Sequence, residues 1–271
     1  MRGVIVSSKV AIVRFDEGDV QQAFQQALKL IGGIDDLNTK KRTVVIKPGV
    51  FHHKKKNHTT LDVLNAIING FSKAPQVFVA ESDNYKGTGS ERLQIWKEAY
   101  TNRVVPFNLS EDTDTKKVKI ADENIGLSQI LFKPNVFVST HVLRKTEYGS
   151  VLKNLMGLMP EPKKARFHKK LPTVLIDAYE AIGGIDFAII DGTHAYATVS
   201  LDKGIKTNTL IVGRDAVAVD TVGATIMGVK LQKMPILQEA IKRGLGEGDV
   251  EKIQILGASI EAIKEKLRQR K

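Results

Sequence analysis

The chain has 271 residues, of which 42% are hydrophobic and 26% charged, a globular composition that excludes disordered, collagen-like and coiled-coil proteins. It contains no cysteine, which excludes disulfides, thiolate zinc sites, cysteine nucleophiles and a cysteine-ligated iron–sulfur cluster within this chain. Lys and Arg outnumber Asp and Glu by 41 to 30, a net charge of +11 that favours small anions, nucleic acid or acidic membrane surfaces as partners.

Short β-branched runs alternate with longer stretches of helical spacing. In chain order the patterns predict strand Val10–Phe15, helix Val20–Ile31, strand Thr43–Ile46, a helix over 61–71, strands Gln76–Ala80, Lys117–Ala121 and Asn135–Ser139, a helix over 175–182, strands Asp186–Ile190 and Thr209–Val212, helices Ala216–Met227 and Ile236–Arg243, strand Lys252–Leu256 and a tail helix over 260–267. Such alternation predicts an α/β fold, a mostly parallel sheet covered by helices on both faces.

The organisation indicates a single domain over residues 1–271. The polar stretch Glu111–Asn124 marks a possible boundary between two lobes, 1–120 and 121–271, with a cleft between them. The start of the chain lacks the apolar core of a signal peptide, and no run approaches the ~20 apolar residues of a membrane span. We therefore expect a soluble, cytoplasmic protein.

Ionisable residues directly follow five of the predicted strands, and ligands in open α/β sheets bind beyond the carboxyl ends of strands. These residues are Lys47, Glu81, His141 after Thr140, Asp191 with His194 three positions later, and Arg214–Asp215. A polar residue ends most strands, so ordinary loop chemistry is the alternative. Five ionisable groups of mixed type at one edge favour a site.

Lysines and helix starts supply the candidate anion ligands. Lys47, stiffened by Pro48, could bind a phosphate or carboxylate, or act as a base; a solvated strand-end lysine is the alternative. Thr59 and Thr60 open a helix, Thr59 in capping-box spacing with Asp62, so their N–H groups could receive an anion or simply begin the helix.

Two further segments combine charge with an apolar context. Lys153 and Asn154 lie inside Gly149–Pro160, where burying a lysine is costly unless it has a partner or a task. Asp215 and Asp220 lie at a strand-to-helix turn. Asp215 is interpreted as an N-cap, and Asp220, on a helix of small apolar residues, as a functional residue.

The six histidines fall into two groups. His52, His53 and His58 lie in a lysine-rich loop, where the adjacent positive charge disfavours a metal. His141, His168 and His194 flank the strand-end edge and, with Asp191, are candidates for a divalent metal site or a proton relay. No metal-signature spacing is present, so a metal cofactor stays open.

Several motifs then occur in a fixed order along the chain. They are Lys47–Pro48, Thr59–Thr60, His141, Lys153–Gly157, His168, Asp191–Gly192, Gly213–Asp220, Met227–Gly228 and Gly244–Gly246. In this combination the chain resembles the domain of unknown function 362 family over nearly its whole length. The resemblance implies an α/β fold and no settled biochemistry. Some members are fused to ferredoxin-like iron–sulfur modules, which we do not expect in a chain without cysteine.

The chain departs from the family's pattern at three places. Gly49 stands where asparagine usually follows Lys-Pro, and Ser139 where a lysine often precedes the threonine–histidine pair. Thr193–Leu201 replaces an acidic, glycine-rich stretch after Asp191–Gly192. The last change removes flexible backbone beside the predicted site.

Two functions remain open. In the first, the protein is enzyme-like and binds an anionic small molecule at the strand-end edge, with acid–base or metal-assisted chemistry. Its catalytic candidates are His141, Lys153, His168 and Asp191, and its ligand-binding candidates are Lys47, Thr59, Thr60, Glu81, Asn154 and Asp220. In the second, the protein binds RNA or DNA through its basic runs His52–His58 and Lys163–Lys170, although aromatic residues are not interleaved with them.

Overall fold

The computed structural model of the protein describes residues 8–197 and 204–269. Its strands are β1 (Lys9–Arg14), β2 (Val44–Lys47), β3 (Val77–Glu81), β4 (Val104–Asn108), β5 (Thr115–Ile120), β6 (Glu123–Ser128), β7 (Val136–Arg144), β8 (Phe187–Tyr196), β9 (Ile205–Gly213) and β10 (Gln254–Gly257). Eight of them form one sheet in the order β10-β1-β9-β8-β7-β2-β3-β4, and β5 and β6 form a separate antiparallel hairpin.

The sheet is parallel except at one strand. β9 runs antiparallel to both of its neighbours, β1 and β8, whereas the other neighbouring pairs are parallel. The expected α/β fold with a mostly parallel sheet is therefore confirmed.

Helices cover both faces of this sheet, as predicted. They are α1 (Val20–Ile31), α2 (Leu61–Gly70), α3 (Gly89–Leu93), α4 (Leu171–Ala181), α5 (Ala216–Ile226), α6 (Pro235–Lys242) and α7 (Ile260–Arg268). Side chains alternate along each strand, so β1 sends Ala11 and Val13 into one core with α1 and α2, and Val10 and Ile12 into another with α4 to α7.

Two strands near the centre of the sheet extend beyond their predicted ends. The pattern placed His141 just after a strand ending at Ser139, but β7 continues to Arg144. β8 likewise continues past Asp191 to Tyr196, with a register shift between Gly192 and His194. Thr193–Leu201, one of the departures from the family's pattern, thus begins as strand, and its part from 198 onward lies outside the described residues.

Short elements with mixed or polar composition escaped the sequence patterns. β4, β6 and α3 were not predicted: Pro106 interrupts the apolar run of β4, and β6 and α3 have too few apolar residues to set a period. The start of α2 is shifted by one residue from the expected cap. Thr60, rather than Thr59, is its N-cap, and its side chain accepts from the Val63 N–H.

Strands from both sides of residue 120 share the single sheet. β1 lies between β9 and β10, and β2 pairs with β7. The division into lobes 1–120 and 121–271 stays a prediction.

Candidate functional site

Four of the five predicted strand-end residues meet at one edge of the sheet. β2, β3, β7 and β8 run parallel, so Lys47, Glu81, His141 and Asp191 lie toward the same carboxyl edge. The fifth expectation, Arg214–Asp215, was wrong in this respect. Because β9 is antiparallel, its end at Gly213 pairs with Val10 and Ala188, near the starts of β1 and β8.

Asp215 serves the opposite edge as a helix cap, as the sequence indicated. Its side chain accepts from the Ala218 N–H at the start of α5, from the Glu247 N–H and from the Ser8 hydroxyl. Arg214 pairs with Asp36. These residues hold the fold at that edge.

A cavity of about 290 Å³ opens at the carboxyl edge. Cationic side chains dominate its charged lining. They are Lys47, Arg92, Arg144, Lys153 and Lys164, accompanied by one carboxylate, Glu81, by Asn154 and by the rings of His141 and His168. Of the predicted site residues, the structure brings Lys47, Glu81, His141, Lys153, Asn154 and His168 to this one cavity.

The paired set, which we define as Lys47, Glu81, Arg92 and Asn154, is the part of the lining held by ion pairs and hydrogen bonds. The terminal nitrogens of Arg92 donate to the Ser82 and Val50 carbonyls, although its Nε has no partner among the described residues. The Glu81 carboxylate lies 2.8 Å from Lys47 Nζ and 3.0 Å from the Arg92 guanidinium, and it accepts from the Ser82 N–H at 2.8 Å. Burial raises the pKa of Glu81, but Arg92, Lys47 and Lys164 outweigh it, so the pKa is lowered. The carboxylate is therefore ionised and holds two cations.

Lys47 and Asn154 join the strand end to the segment 153–158. Lys47 Nζ donates to Glu81, to the Pro48 carbonyl at 2.8 Å and to Asn154 Oδ1 at 3.1 Å, which uses all three of its hydrogens. The Asn154 amide returns a bond to the Lys47 carbonyl at 2.8 Å and another to the Thr140 carbonyl at 3.1 Å. This lysine is a structural clamp that faces the cavity.

Two glycines allow the close packing of this clamp. A Cβ at Gly157 would lie 2.2 Å from Lys47 Cε and 2.7 Å from Glu81 Oε1. A Cβ at Gly49 would lie 2.3 Å from Cγ of His141. The imidazole therefore occupies the space that a side chain at position 49 would need, which explains why glycine fits here in place of the family's asparagine.

The unpaired set, Arg144 and Lys153, lines the same cavity without a side-chain ion pair or hydrogen bond to any described residue. Arg144 is 8% exposed, and its buried Nε has no hydrogen-bond partner among the described residues. Burial lowers its pKa to about 10, with Asp220 opposing the shift. Burial and the charge of Arg144 lower the pKa of Lys153 to about 8. Lys153 Nζ lies over the Tyr148 ring, 6.0 Å from its centroid.

Lys164 is intermediate between the two sets. It lies on the wall segment Lys164–Lys170, and its Nζ is 2.5 Å from Ser82 Oγ, which in turn donates to the Gly157 carbonyl. Burial lowers its pKa to about 7, with Glu81 opposing the shift. Ser82 is fully buried and does not line the cavity, so this contact positions the lysine and does not activate a serine nucleophile.

His141 is neutral in this setting. Its Nδ1 accepts the Val142 N–H at 2.8 Å, so in the neutral ring the proton resides on Nε2. Burial and the charges of Arg144, Lys47 and Lys153 hold the pKa of His141 well below its usual value. The ring can therefore donate one hydrogen bond from Nε2.

Thr59, Thr60 and Asp191 form a separate hydrogen-bonded group that does not line the cavity. The Thr60 N–H and hydroxyl both donate to Asp191, at 2.7 and 2.8 Å, and the Thr59 N–H donates to the Gly49 carbonyl. The N–H groups expected to receive an anion are thus already paired. Asp191 also accepts from the Thr193 N–H at 2.9 Å. The group fixes the start of α2 against β8.

Asp220 holds the backbone that leads to Lys153. From α5 its carboxylate accepts the N–H groups of Ser150, Val151 and Leu152, at 2.9 to 3.0 Å. Burial raises its pKa to about 6, opposed by these three donors and by Arg144. Asp220 therefore acts on the site as a positioning residue rather than from the cavity wall.

The metal candidates do not assemble. Within the described ranges, no three His, Cys, Asp or Glu side chains lie close enough together to hold a metal ion. The Asp191 oxygens are taken by Thr60 and Thr193, His194 does not line the cavity, and His168 is an exposed residue at its wall.

Sequence reasoning missed three cationic residues of the cavity, and it also missed the aromatic residues Phe51, Tyr85 and Tyr148 of its lining. Arg92 comes from α3, whose capping box Thr88-x-x-Glu91 was a readable signal. Arg144 ends a strand that was predicted too short. Lys164 belongs to a basic run that was interpreted as surface, although Lys164 and Phe167, three positions apart, are both buried.

Comparisons with known proteins identify the family of this chain. The model of the DUF362 family, a domain of unknown function, matches residues 44–225. No curated protein matches the chain. In the part of the chain that the structure describes, no helix is both long and apolar enough to cross a bilayer.

Proposed function

Because the chain belongs to the DUF362 family, a domain family of unknown function, we propose its function from the site itself: the cavity binds a small phosphate or carboxylate anion. One observation carries this proposal. The Arg144 guanidinium is more than nine-tenths buried against the cavity and its Nε has no partner within residues 8–197 and 204–269. A buried guanidinium without acceptors is costly, and a phosphate or carboxylate supplies paired acceptors in matching geometry.

The charge balance of the cavity supports the same ligand. Five cations and one carboxylate line it, and the pKa values of Arg144, Lys153 and Lys164 are all lowered, first of all by burial. Each lowered pKa means that the charged form is poorly stabilised in the ligand-free protein. A bound anion would supply the missing negative charge to all three.

Distinct roles follow for the side chains around the anion. Arg144 and Lys153 would bind it directly, and His141 would donate from Nε2. Lys164, with a pKa of about 7, is the group best matched to give or take a proton near neutral pH, since general acid–base catalysis is most effective when the pKa lies near the working pH. The cavity wall would be kept in place by the hydrogen bonds of Lys47, Glu81 and Asn154, and His168 would lie at its exposed side.

The nucleic-acid alternative loses part of its support. It depended on the charge of the runs His52–His58 and Lys163–Lys170, but Lys164 and Phe167 of the second run are buried, and Lys164 faces the cavity. The second run is therefore partly an interior wall.

A thermal-shift screen with phosphate, acetate and a short RNA at moderate salt tests the proposal. A ligand at 100 times its Kd adds about 2.7 kcal/mol to the free energy of unfolding, which raises the melting midpoint visibly. We expect phosphate or acetate to stabilise the wild type and to have no such effect on Arg144→Gln. Lys169→Gln, which removes an exposed cation from the neighbouring wall segment, is the matched control and should respond like the wild type.

Two results would contradict the proposal. One is the absence of any shift with either anion, and the other is an equal shift in the wild type and in Arg144→Gln. Stabilisation by RNA alone, lost with added salt and unaffected by Arg144→Gln, would place the function on the basic surface.

A further inference from the structure

The large hydrophobic side chains that stay exposed in the described residues are gathered at one place. Phe51, Tyr85 and Tyr148 are 39%, 68% and 49% exposed, and all three line the cavity. Scattered single exposed apolar residues are normal on a protein surface, whereas a cluster marks a ligand or partner site. These three rings, which we call the aromatic mouth, therefore need a functional explanation.

The Phe51–Tyr85 side of the mouth is built on firmly bonded loops. The ring centroids lie 5.8 Å apart in an edge-to-face arrangement. The Asn84 side chain donates to the Phe51 carbonyl at 3.1 Å, and Asn84 and Gly87 exchange two backbone hydrogen bonds around Tyr85. Lys86 Nζ lies over the Tyr85 ring, 4.8 Å from its centroid. The Tyr85 ring is thus positioned before any ligand binds, so that less conformational entropy of this side chain is lost on binding.

Tyr148 connects the mouth with the unpaired set. Lys153 Nζ lies 6.0 Å from the centroid of the Tyr148 ring, and Arg144 lines the same cavity. One cavity therefore offers flat aromatic surfaces at its exposed side and, in its buried part, cations that no carboxylate of residues 8–197 and 204–269 pairs with. A ligand complementary to both has a flat apolar portion and an anionic group.

The size of the cavity agrees with such a molecule. A cavity of about 150 Å³ holds a benzene molecule, and this one measures about 290 Å³. There is room for one ring and its anionic group. Inorganic phosphate or acetate alone would leave the aromatic mouth without contacts.

We propose that the ligand of this cavity is an aromatic anion, with a flat ring stacked against Tyr85 or Tyr148 and a phosphate or carboxylate that reaches Arg144 and Lys153. This inference rests on the proposed anion site and specifies its substrate class. The recognising chemistry is ring stacking together with charge, and both nucleotides and simple aryl phosphates or carboxylates possess it.

Matched pairs of probes separate the contribution of the ring to the binding affinity from that of the anionic group. Calorimetric titration of the full chain compares phenyl phosphate with inorganic phosphate, benzoate with acetate, and AMP with ribose 5-phosphate. We expect the ring to improve the affinity about tenfold in at least one pair, the range that stacking on an aromatic side chain provides. A gain in the AMP pair alone identifies a nucleotide, and a gain with phenyl phosphate or benzoate identifies a smaller aryl anion.

Variants at the mouth then assign the gain to the rings. Tyr85→Ala and Tyr148→Ala remove exposed side chains, so both are expected to fold. At least one of them should cancel most of the roughly tenfold gain and change the affinity for inorganic phosphate or acetate much less than it changes the affinity for the aromatic probe. The conservative variants Tyr85→Phe and Tyr148→Phe keep the ring, so they should retain the higher affinity for the aromatic probe.

The possible failures are distinguishable. If phosphate or acetate binds and Arg144→Gln abolishes the binding, but no ring improves it, the aromatic-anion inference is wrong and the anion site stands. The same holds if a gain persists in the double variant Tyr85→Ala/Tyr148→Ala. If no probe binds at all, both the inference and the proposed function are wrong.

Discussion

The paired and the unpaired set line the same cavity, but only the charged groups of the paired set lie in ion pairs. Glu81 lies between Lys47 and Arg92 at 2.8 and 3.0 Å, and every hydrogen of Lys47 Nζ has an acceptor. Arg144, 8% exposed, has a buried Nε without any partner in the described chain. Arg92 also has a buried Nε without a partner there, but its guanidinium is paired with Glu81. The difference shows that this fold pairs the buried charges that support the backbone and leaves Arg144 without an ion pair among the described residues, where the cavity opens.

The largest expected effect comes from breaking the paired set. Glu81→Gln would leave Lys47 and Arg92 buried without their carboxylate, and removing one partner of a buried ion pair costs about 3–5 kcal/mol. We expect a loss of this size in the free energy of unfolding, measured by urea denaturation. The control Glu98→Gln, at an exposed position, should change stability by less than about 0.5 kcal/mol. Equal stability of Glu81→Gln and wild type would show that the cluster does not depend on this carboxylate.

A steric change at the paired set should cost less. In Gly157→Ala the new Cβ would lie 2.2 Å from Lys47 Cε, so the clamp must shift. Overpacking of this kind destabilises by about 1–3 kcal/mol. Gly126→Ala offers a contrast in β6, since its nearest contact would be the Thr115 hydroxyl at 3.2 Å. Urea denaturation should rank Gly126→Ala as the milder change, and the reverse order would contradict the packing described for Lys47.

The lysines at the cavity predict how stability depends on pH. Burial lowers their pKa values from an ordinary 10.5 to about 7 for Lys164 and about 8 for Lys153. Between these values and 10.5 the unfolded chain binds more protons than the folded one. The free energy of unfolding should therefore rise from about pH 7 to about pH 10.5, by at most about 1.4 kcal/mol per pH unit for each lysine.

Denaturation across that pH range, with and without saturating phosphate, checks this dependence. Phosphate should flatten the rise, because a bound anion restores the lysine pKa values. A stability that falls steadily with pH in the ligand-free protein would contradict the lowered pKa values of these two desolvated lysines.

The smallest expected effect has the opposite sign. Lys153→Met keeps most of the side-chain volume and removes a cation that is repelled by Arg144. We expect a gain of about 0.5–2 kcal/mol in the free energy of unfolding, typical of stabilising changes that sacrifice function, together with loss of anion binding. Lys169→Met, at an exposed position, should do neither. A destabilised Lys153→Met would mean that this lysine supports the fold.

The part of the site that sequence could predict depended on parallel neighbouring strands. Lys47, Glu81 and His141 lie at or near the carboxyl ends of β2, β3 and β7, which run side by side in one direction. The first ionisable residue after each apolar run was therefore enough to bring them together. The same rule misplaced Arg214 because periodicity does not reveal that β9 is antiparallel.

The unpaired set was only half predictable for a physical reason. Lys153 was visible because it interrupts an apolar stretch, but Arg144 resembles an ordinary strand-end arginine until its surroundings are known. Its significance comes from burial and from the missing partner, and both are properties of the tertiary structure. Local pattern predicted most of the elements, whereas which buried charges have partners could be learned only from the tertiary contacts.

The two outer strands of the sheet determine how readily it can pair with another chain. At one margin β4 carries Pro106, which has no N–H to donate, and at the other β10 is four residues long and ends at Gly257. Short edge strands and edge prolines are known defences against edge-to-edge aggregation. Removing β10 and α7 would expose the edge of β1, whose buried run Val10–Val13 is entirely apolar. The last strand therefore protects the protein from forming intermolecular sheets.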